Sequence, residues 1–419
     1  MENNTKIKVV DSIMGQGKTT WAIDFMKENP DDRFMYITPY LDEVRRVKEE
    51  VNTFIEPKAI KGSKLNHMKQ LIEYGSNIAS THSLMGRFDI ETQKNINMGE
   101  YTLILDECSE VVTEHTFMTE ADKEDFFKYY AYVEDGYVKW NEEAHPVEEY
   151  IKGSNFYEEM VLCLNGNLVY INEKLLLWEL PVNVFKAFKE VYILTYMFEG
   201  SVQKPYFDLY DIDYEYLSVK QGKLIPYEKT SKEMKLEIAS LITLVENDKL
   251  NSIGDDKFAL SSTWLRNNVK QSGKVTVMAD RLKKNTENYF KNIAKTKAQD
   301  NMWSIYDKYY NRVRGIGYGK KDINYVEYNV RATNKYQHKK ALAYLINVFP
   351  HTSLTMYFSQ RDGLKDINID IDKFALSALI QWVWRSRIRR QDLPHQERTI
   401  SLYLPSHRMR TIFKEWLDS

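Results

Sequence analysis

The segment Ser12-Ile-Met-Gly-Gln-Gly-Lys-Thr-Thr20 has the residue types and spacing of a loop that binds phosphate groups. Gly15 and Gly17 allow the backbone to curl, so that its N–H groups can face an anion. Lys18 can reach the β- and γ-phosphates of a nucleotide, and the hydroxyl of Thr19 can ligate Mg²⁺. The predicted ATP-binding residues are Gly15, Gln16, Gly17, Lys18, Thr19 and Thr20.

A second group of residues that could take part in chemistry lies about ninety residues further on, in Leu103-Ile-Leu-Asp-Glu107. An apolar strand that ends on a carboxylate can deliver a magnesium ligand beside a phosphate-binding loop. Asp106 is predicted to hold Mg²⁺ through water, together with the hydroxyl of Thr19. Glu107 is predicted to orient and activate the attacking water. The two motifs together indicate Mg²⁺-dependent hydrolysis of ATP.

Polar and basic side chains gather a third time in Gln381-Trp-Val-Trp-Arg-Ser-Arg-Ile-Arg-Arg390. If this segment continues one helix, Gln381, Arg385 and Arg389 repeat at intervals of four residues and form one stripe. Arg387 would point elsewhere, about 200° away around a helix of 3.6 residues per turn. Arginines on such a stripe can stabilise the charge of a transferred γ-phosphoryl group. We therefore predict catalytic roles for Gln381, Arg385 and Arg389.

The elements that must position these residues alternate between strand and helix, a pattern typical of a parallel sheet with crossover helices. Predicted strands cover residues 7–13, 34–38, 77–80, 101–105 and 191–195, and predicted helices cover 19–27 and 41–54. In the C-terminal part, residues 260–264 and 325–329 are predicted as strands. Residues 341–348, 374–390 and 410–417 are predicted there as helices. The expected fold class is α/β.

These motifs together resemble superfamily 2 helicases, and among them a group of phage-encoded helicases of the DEAD/DEAH type. The resemblance also covers Arg331-Ala-Thr-Asn334 and the closing Tyr403-Leu-Pro-Ser-His-Arg-Met-Arg410, and it runs in order from residue 7 to about residue 417. It implies two RecA-like lobes with ATP in the cleft between them. The expected boundaries are 1–205 for the first lobe, 206–229 for a linker region and 230–419 for the second lobe.

The same resemblance implies contacts with the nucleic-acid backbone at loops that follow the strands. The residues carried over are Thr38 and Pro39, Thr81 and His82, and Arg331, Thr333 and Asn334. The chain departs from the family pattern at three places. Ser12 replaces the first glycine of the phosphate loop, Trp384 replaces a glycine, and Arg389 stands one residue later than the usual arginine.

Charge is distributed unevenly, although the formal net charge is only -2. The stretch from Trp264 to Lys321 carries 14 basic and 4 acidic side chains, interleaved with tyrosines and tryptophans. Basic side chains can track phosphates while aromatic rings stack on bases. We therefore predict a nucleic-acid surface in this stretch, with contacts from Lys283 and Lys284. An ordinary solvated surface over core aromatics is the alternative.

The stretch from Glu114 to Glu159 has the opposite character, with 13 acidic and 4 basic side chains. It interrupts the alternating pattern and falls outside the family resemblance. We therefore predict an acidic insertion with its own small structure in the first lobe, at about residues 112–188. Its charge would repel a phosphate backbone, so it is a candidate surface for a protein partner.

The remaining features of the composition limit which classes of protein are possible. Two cysteines cannot form a disulfide framework, and no apolar run approaches the roughly 20 residues of a membrane span. We therefore expect a protein of the cytoplasm, that of a bacterial host if the chain is phage-encoded, without a membrane partner.

Three functions fit the motifs. The first is an ATP-dependent helicase or translocase in phage replication or recombination, acting on single-stranded or forked DNA, with RNA as the alternative polymer. The second is the ATPase motor of phage DNA packaging, which would need clustered metal-binding carboxylates. Asp366, Asp370 and Asp372 are close in sequence, yet they lead into the arginine segment. The third is a nucleotide-controlled remodeller that binds nucleic acid without separating strands.

Overall fold

A computed structural model of the chain describes residues 5–60, 63–269, 276–329, 335–361 and 366–419. The chain forms two compact α/β units. The first comprises Met1–Asp11, Lys18–Leu224 and His351–Ile369, and the second comprises Ser12–Gly17, Ile225–Pro350 and Asp370–Ser419. Parallel sheets form the centre of both units, which confirms the predicted fold class. None of the described helices is long and apolar enough to cross a membrane.

The elements follow one another closely along the chain. The strands are β1 (Lys6–Asp11), β2 (Phe34–Thr38), β3 (Phe54–Ile55), β4 (Asn77–Thr81), β5 (Thr102–Asp106), β6 (Val112–Glu114), β7 (Ala131–Glu134), β8 (Tyr137–Trp140), β9 (Leu168–Ile171), β10 (Leu175–Glu179), β11 (Glu190–Thr195), β12 (Tyr214–Lys220), β13 (Lys223–Pro226), β14 (Ile242–Leu244), β15 (Asn301–Ser304), β16 (Ala341–Tyr344) and β17 (Ile400–Tyr403). The helices are α1 (Lys18–Glu28), α2 (Leu41–Glu50), α3 (Lys64–Glu73), α4 (His82–Met85), α5 (Ile90–Met98), α6 (Glu120–Asp125), α7 (Tyr157–Leu164), α8 (Asn183–Lys186), α9 (Gln203–Leu209), α10 (Lys232–Ser240), α11 (Asp248–Asn251), α12 (Ser262–Asn268), α13 (Val277–Asn288), α14 (Tyr310–Val313), α15 (Lys321–Asn324), α16 (Thr352–Gln360), α17 (Ile371–Val383), α18 (His395–Arg398) and α19 (His407–Asp418).

The first unit is centred on a sheet with the strand order β13-β12-β1-β11-β5-β2-β4-β3. From β12 to β3 the neighbours run parallel, and β2 is buried along its whole length, as a strand covered on both faces must be. Strand β11 lies between β1 and β5, with Asp11 beside Thr195 and Leu194 beside Asp106. The carboxyl ends of β1 and β5 therefore meet at one edge of the sheet.

Between β5 and β11 the chain forms a second, antiparallel sheet with the order β6-β10-β9-β8-β7. Its core is aromatic and includes Phe126, Trp140 and Phe156, with Met160 of α7 packed against them. This insertion has its own hydrophobic core, and its strand β8 alternates buried and partly exposed side chains, as a strand with one covered face does.

The second unit contains a four-stranded parallel sheet in the order β14-β17-β16-β15. Its core is rich in aromatic residues, among them Tyr289, Trp303 and Tyr403. The hydroxyl of Tyr289 donates to the carbonyl of Ser401 and accepts from the amide of Leu342. This hydroxyl therefore ties α13 and the helical turn after it to strands β16 and β17.

The segment from His351 to Ile369 belongs to the first unit, although it lies between β16 and α17 in the chain. Its helix α16 carries Tyr357, whose hydroxyl donates to the buried carboxylate of Glu179 at the end of β10. Tyr210, which directly follows α9, donates to the same carboxylate at 2.6 Å, and Arg361 lies 3.8 Å from it. One buried anion thus joins the insertion, α9 and the returning segment.

Several predicted elements are corrected. The presumed linker 206–229 contains β12, which pairs in parallel with β1 and belongs to the first unit. Residues 341–348 begin with a strand rather than a helix, because a run that is buried on every side has no helical periodicity. Residues 260–264 enter α12, since the side chain of Ser261 caps that helix. In 325–329, Tyr325 forms an isolated bridge with Trp303.

The Glu179 cluster generates a stability prediction. Burial raises the pKa of Glu179, whereas hydrogen bonds from Tyr210 and Tyr357 and the charge of Arg361 lower it. Glu179→Gln leaves the largely buried Arg361 without its opposite charge, so we expect a loss of about 3 kcal/mol in the free energy of unfolding. Thermal melting should show a lower midpoint than for Glu134→Gln, an exposed control on β7. Equal midpoints for the two variants would contradict this role.

Candidate nucleotide site

The loop between β1 and α1 has the backbone geometry that a phosphate cradle needs. Gly15 and Gly17 adopt φ angles of +89° and +86°, a left-handed conformation that favours glycine. A Cβ atom at Gly17 would meet nothing within 4 Å, so open space surrounds this part of the backbone. Helix α1 begins at Lys18 directly after the loop and buries Trp21 and Ile23 against the sheet. The packing of α1 thus fixes the position of Lys18.

Lys18 lies in a cluster of negative charge at the carboxyl edge of the first sheet. Desolvation lowers the pKa of Lys18, whereas three nearby carboxylates raise it. In decreasing order of effect these are Glu107, Asp11 and Asp106. Desolvation and the charge of Glu107 also raise the pKa of Asp106 to about 7. The structure therefore brings the predicted loop lysine together with both predicted acidic residues.

Glu107 holds a conformation that is uncommon for a residue with a side chain. Its φ angle is +66°, and its N–H donates to the carbonyl of Leu194 on β11 at 2.9 Å. A non-glycine residue in the left-handed region costs on the order of 1–3 kcal/mol and persists where the surroundings impose it. The chain thus leaves the extended conformation at Glu107, directly after β5 ends at Asp106.

Two residues that were predicted to contact nucleic acid also contact Asp106. The hydroxyl of Thr38 donates to the Asp106 carboxylate at 3.3 Å, and Nε2 of His82 lies 3.0 Å from the Asp106 carbonyl oxygen. Thr38 is fully buried, so the predicted strand contact of its side chain is wrong. His82, Thr81 and Pro39 are partly exposed and stay predictions as contacts.

Asp11 is a residue of this site that the sequence analysis did not select. It ends β1, is buried, and accepts hydrogen bonds from the N–H groups of Met197 and Phe198, both at 2.9 Å. Desolvation raises its pKa, and those two bonds and the charge of Lys18 lower it. An aspartate that ends an apolar strand immediately before a phosphate loop could have indicated it. Asp11 fixes the turn after β11 and adds a negative charge near Lys18.

The arginine segment does not form the single helical stripe that was predicted. Helix α17 ends at Val383, and residues 387–389 form a separate 3-10 turn. Between them lies Ser386, whose backbone is extended and whose buried hydroxyl donates to the carbonyl of Val383 at 2.6 Å. Gln381 remains on α17, where its amide donates to the Ser377 hydroxyl at 3.4 Å. Helical phase therefore does not relate Gln381 to Arg385 and Arg389.

The other predicted nucleic-acid contacts divide into three cases. Arg331, Thr333 and Asn334 lie outside the described residues. Lys284 is exposed on α13 and pairs with Asp280 at 2.7 Å, so its charge is already balanced within its own helix. Lys283, its neighbour, lines a cavity of the second unit. The structure thus separates two lysines that the sequence analysis treated alike.

Known proteins are similar to this chain in sequence and in fold. The chain is 37% identical over 428 residues to the SPbeta prophage-derived protein YonV of Bacillus subtilis (strain 168), with 99% of each chain covered. The chain belongs to the YonV family. Residues 236–417 match the model of the YonV C-terminal Rossmann-like domain, which covers the four-stranded parallel sheet of the second unit. The family thus includes a prophage-derived member.

A solved structure is similar over nearly the whole of this YonV-family chain. It is the structure of Xpd4 from S. tokodaii, which has a TM-score of 0.50 and 9% sequence identity. The similarity covers 99% of this chain and 94% of that chain. At this identity the similarity concerns the fold, and it extends across both α/β units.

The position of Asp11 generates the second prediction. Asp11→Ala removes the acceptor of two backbone N–H groups, so we expect a loss of about 2 kcal/mol in the free energy of unfolding. Asp11→Asn keeps an acceptor oxygen and should cost less. Melting of both variants, beside the exposed α1 control Asp24→Ala, measures this difference. If Asp11→Ala melts like the control, the aspartate does not fix the turn.

Proposed function

We propose that the protein is an ATP hydrolase of the helicase or translocase type that acts on single-stranded or forked DNA in phage replication or recombination. The observation that carries this proposal is the charge cluster at one sheet edge. Lys18 begins α1 after a loop with two left-handed glycines, and it faces Asp106 and Glu107 at the end of β5. The resemblance to DEAD/DEAH-type helicases and the prophage-derived relative supply the class and the setting.

The residues of this edge fit ATP and Mg²⁺. The glycine loop leaves open space beside Gly17, which suits a phosphate group, and Thr19 places a hydroxyl in the first turn of α1. The carboxylate of Asp106 is poorly compensated, as its raised pKa indicates, and a divalent cation would stabilise its charged form. Bound Mg²⁺ would supply positive charge that stabilises the negative charge of the phosphate groups. Asp106 and Thr19 would hold that ion.

Each side chain then has a separate task in hydrolysis. Lys18 would neutralise the β- and γ-phosphates, and Glu107 would orient the attacking water and accept its proton. Arg385 and Arg389 remain the proposed donors to the charge on the transferred phosphoryl group, although they do not share a helical stripe with Gln381. Their guanidinium groups stay charged at any physiological pH.

Two contacts support dependence of hydrolysis on nucleic acid. His82 is partly exposed, lies in a loop that resembles a strand-binding element, and contacts the backbone of Asp106. Thr38 links the end of β2 to the Asp106 carboxylate, and the partly exposed Pro39 follows it. A strand that moves either loop would therefore shift a proposed magnesium ligand. We infer that binding of a strand changes the rate of hydrolysis.

The packaging-motor alternative needs a cluster of carboxylates that could bind catalytic metal ions. Among the described residues, no group of three or more histidine, cysteine or acidic side chains forms such a cluster. Asp370 instead caps α17, and Asp372 pairs with Arg408 at 2.8 Å. Both aspartates thus have structural roles, and this alternative receives no support from them.

The decisive experiment compares ATP turnover without polymer and with single-stranded DNA, duplex DNA or RNA. We expect single-stranded DNA to raise kcat severalfold and a labelled fork to be unwound in the presence of ATP and Mg²⁺. Stimulation without unwinding would indicate the remodeller. Turnover that no polymer changes would contradict the proposal.

Two substitutions test the proposed catalytic residues, and they should differ in their effect on ATP binding. Lys18→Ala should reduce ATP turnover by about 100-fold or more and weaken ATP binding, because the charge that meets the phosphates is lost. Glu107→Gln should reduce turnover similarly while ATP binding persists. Turnover assays and binding of a fluorescent ATP analogue separate these effects. Lys27→Ala, an exposed lysine of the same helix, is the matched control. Normal turnover in Glu107→Gln would remove its assigned role.

A further inference from the structure

A cavity of about 630 Å³ opens on the second unit. Its walls come from α13 and from the loop between α14 and α15, which has the sequence Arg314-Gly-Ile-Gly-Tyr-Gly-Lys320. Lys283, Arg314 and Lys320 all line it. This volume lies within the range of sites that bind small ligands or ligand fragments.

The cations of this cavity differ from their neighbours in how their charges are balanced. Lys284 pairs with Asp280 and Lys321 pairs with Asp307. Within the described part of the chain, none of the three cavity cations forms an ion pair with a carboxylate. Arg314 instead lies over the ring of Tyr310 at 5.8 Å. Lys284 and Lys321, which have acidic partners, therefore do not belong to the set of basic side chains that line this cavity.

The backbone of the loop is suited to an anion because two of its carbonyl groups already accept hydrogen bonds from protein side chains. Asn301 donates to the carbonyl of Gly317 at 2.9 Å, and the Tyr310 hydroxyl donates to that of Gly319 at 2.6 Å. One carboxylate approaches, since Glu287 accepts from the N–H of Ile316 at 3.1 Å. That bond fixes the loop and leaves three cations against one anion.

Glycine is required in this loop for two physical reasons. Gly317 has a φ angle of +84°, and a Cβ atom there would meet nothing within 4 Å. At Gly319 a Cβ atom would lie 2.5 Å from the carbonyl oxygen of Gly315, which no real contact allows. The loop therefore folds back on itself at Gly319 and remains open at Gly317.

We infer that this cavity binds the phosphate groups of a nucleic-acid strand. That the ligand is a nucleic acid rests on the proposed function. A strand fits better than a free nucleotide, because a second cavity of about 530 Å³ adjoins the first and shares Arg314, Gly319 and Lys320 with it. Lys321 and Asp322 line the second cavity. An extended phosphodiester chain can occupy both cavities, with Lys320 and Arg314 between consecutive phosphates.

The test measures binding of a labelled single-stranded DNA to the full chain by fluorescence anisotropy at several salt concentrations, without ATP. The triple variant Lys283→Gln, Arg314→Gln, Lys320→Gln should bind more weakly. Its slope of log affinity against log salt should be smaller by about 2, since each lost single-strand phosphate contact removes roughly 0.7. Lys284→Gln, beside Lys283 on α13, should keep the wild-type slope. Thermal melting checks that each variant folds.

A second variant keeps the charge and changes only the loop. Gly319→Ala should weaken DNA binding, because its Cβ displaces the loop while all three cations remain. An unchanged salt slope in the triple variant would overturn the assignment, even where DNA stimulates ATP hydrolysis and the proposed function stands. Loss of binding in that variant would support the assignment even if the wild-type protein hydrolyses no ATP. Displacement of the strand by millimolar AMP or inorganic phosphate would overturn the preference for a strand, as would wild-type protein that binds no DNA.

Discussion

The candidate site depends on one electrostatic constraint: three carboxylates and a single lysine share one edge of the first sheet. Strand β11, between β1 and β5, brings Asp11 and Asp106 to that edge, and α1 starts there with Lys18. Burial disfavours the charged form of Asp106, and the nearby charge of Glu107 adds to this cost, so the pKa of Asp106 is raised to about 7. Such an arrangement persists only if neighbouring structure imposes it. The parallel register of three strands and the packing of Trp21 supply that support.

The parts of the fold that local patterns determine were predictable. Strand β2 is buried throughout and begins and ends where its apolar run does, and the phosphate loop lies between a strand and a helix as expected. Residues 341–348 were not predictable, because burial on all sides removes the periodicity that distinguishes strand from helix. The helix breaks after Val383, and the hydroxyl of Ser386 bonds to the carbonyl of that residue. Helical periodicity in the flanking sequence gives no indication of such a bond.

The site was predictable where a motif specifies side-chain chemistry, and it was missed where tertiary contacts decide. Lys18 and the Asp106–Glu107 pair follow from residue type and spacing. The role of Asp11 depends on Met197 and Phe198, which are far away in sequence and adjacent only because β1 and β11 pair. Thr38 shows the converse error, since its position after a strand suggested an exposed contact while the fold buries it. Loop position alone does not determine exposure.

The returning segment, 351–369, contacts the insertion through side chains whose partners the sequence does not reveal. A separate core could let the antiparallel sheet move as an independent module. Glu179 opposes this, because its buried carboxylate accepts from Tyr357 and Tyr210 and faces Arg361, which itself lies over the ring of Tyr137 at 4.3 Å. Separation of Arg361 would leave a buried charge unpaired, and separation of either tyrosine would remove a hydrogen bond from that charge, so both are unfavourable. Helix α16 and Arg361 of the returning segment are therefore anchored to the insertion, which limits independent motion of its sheet.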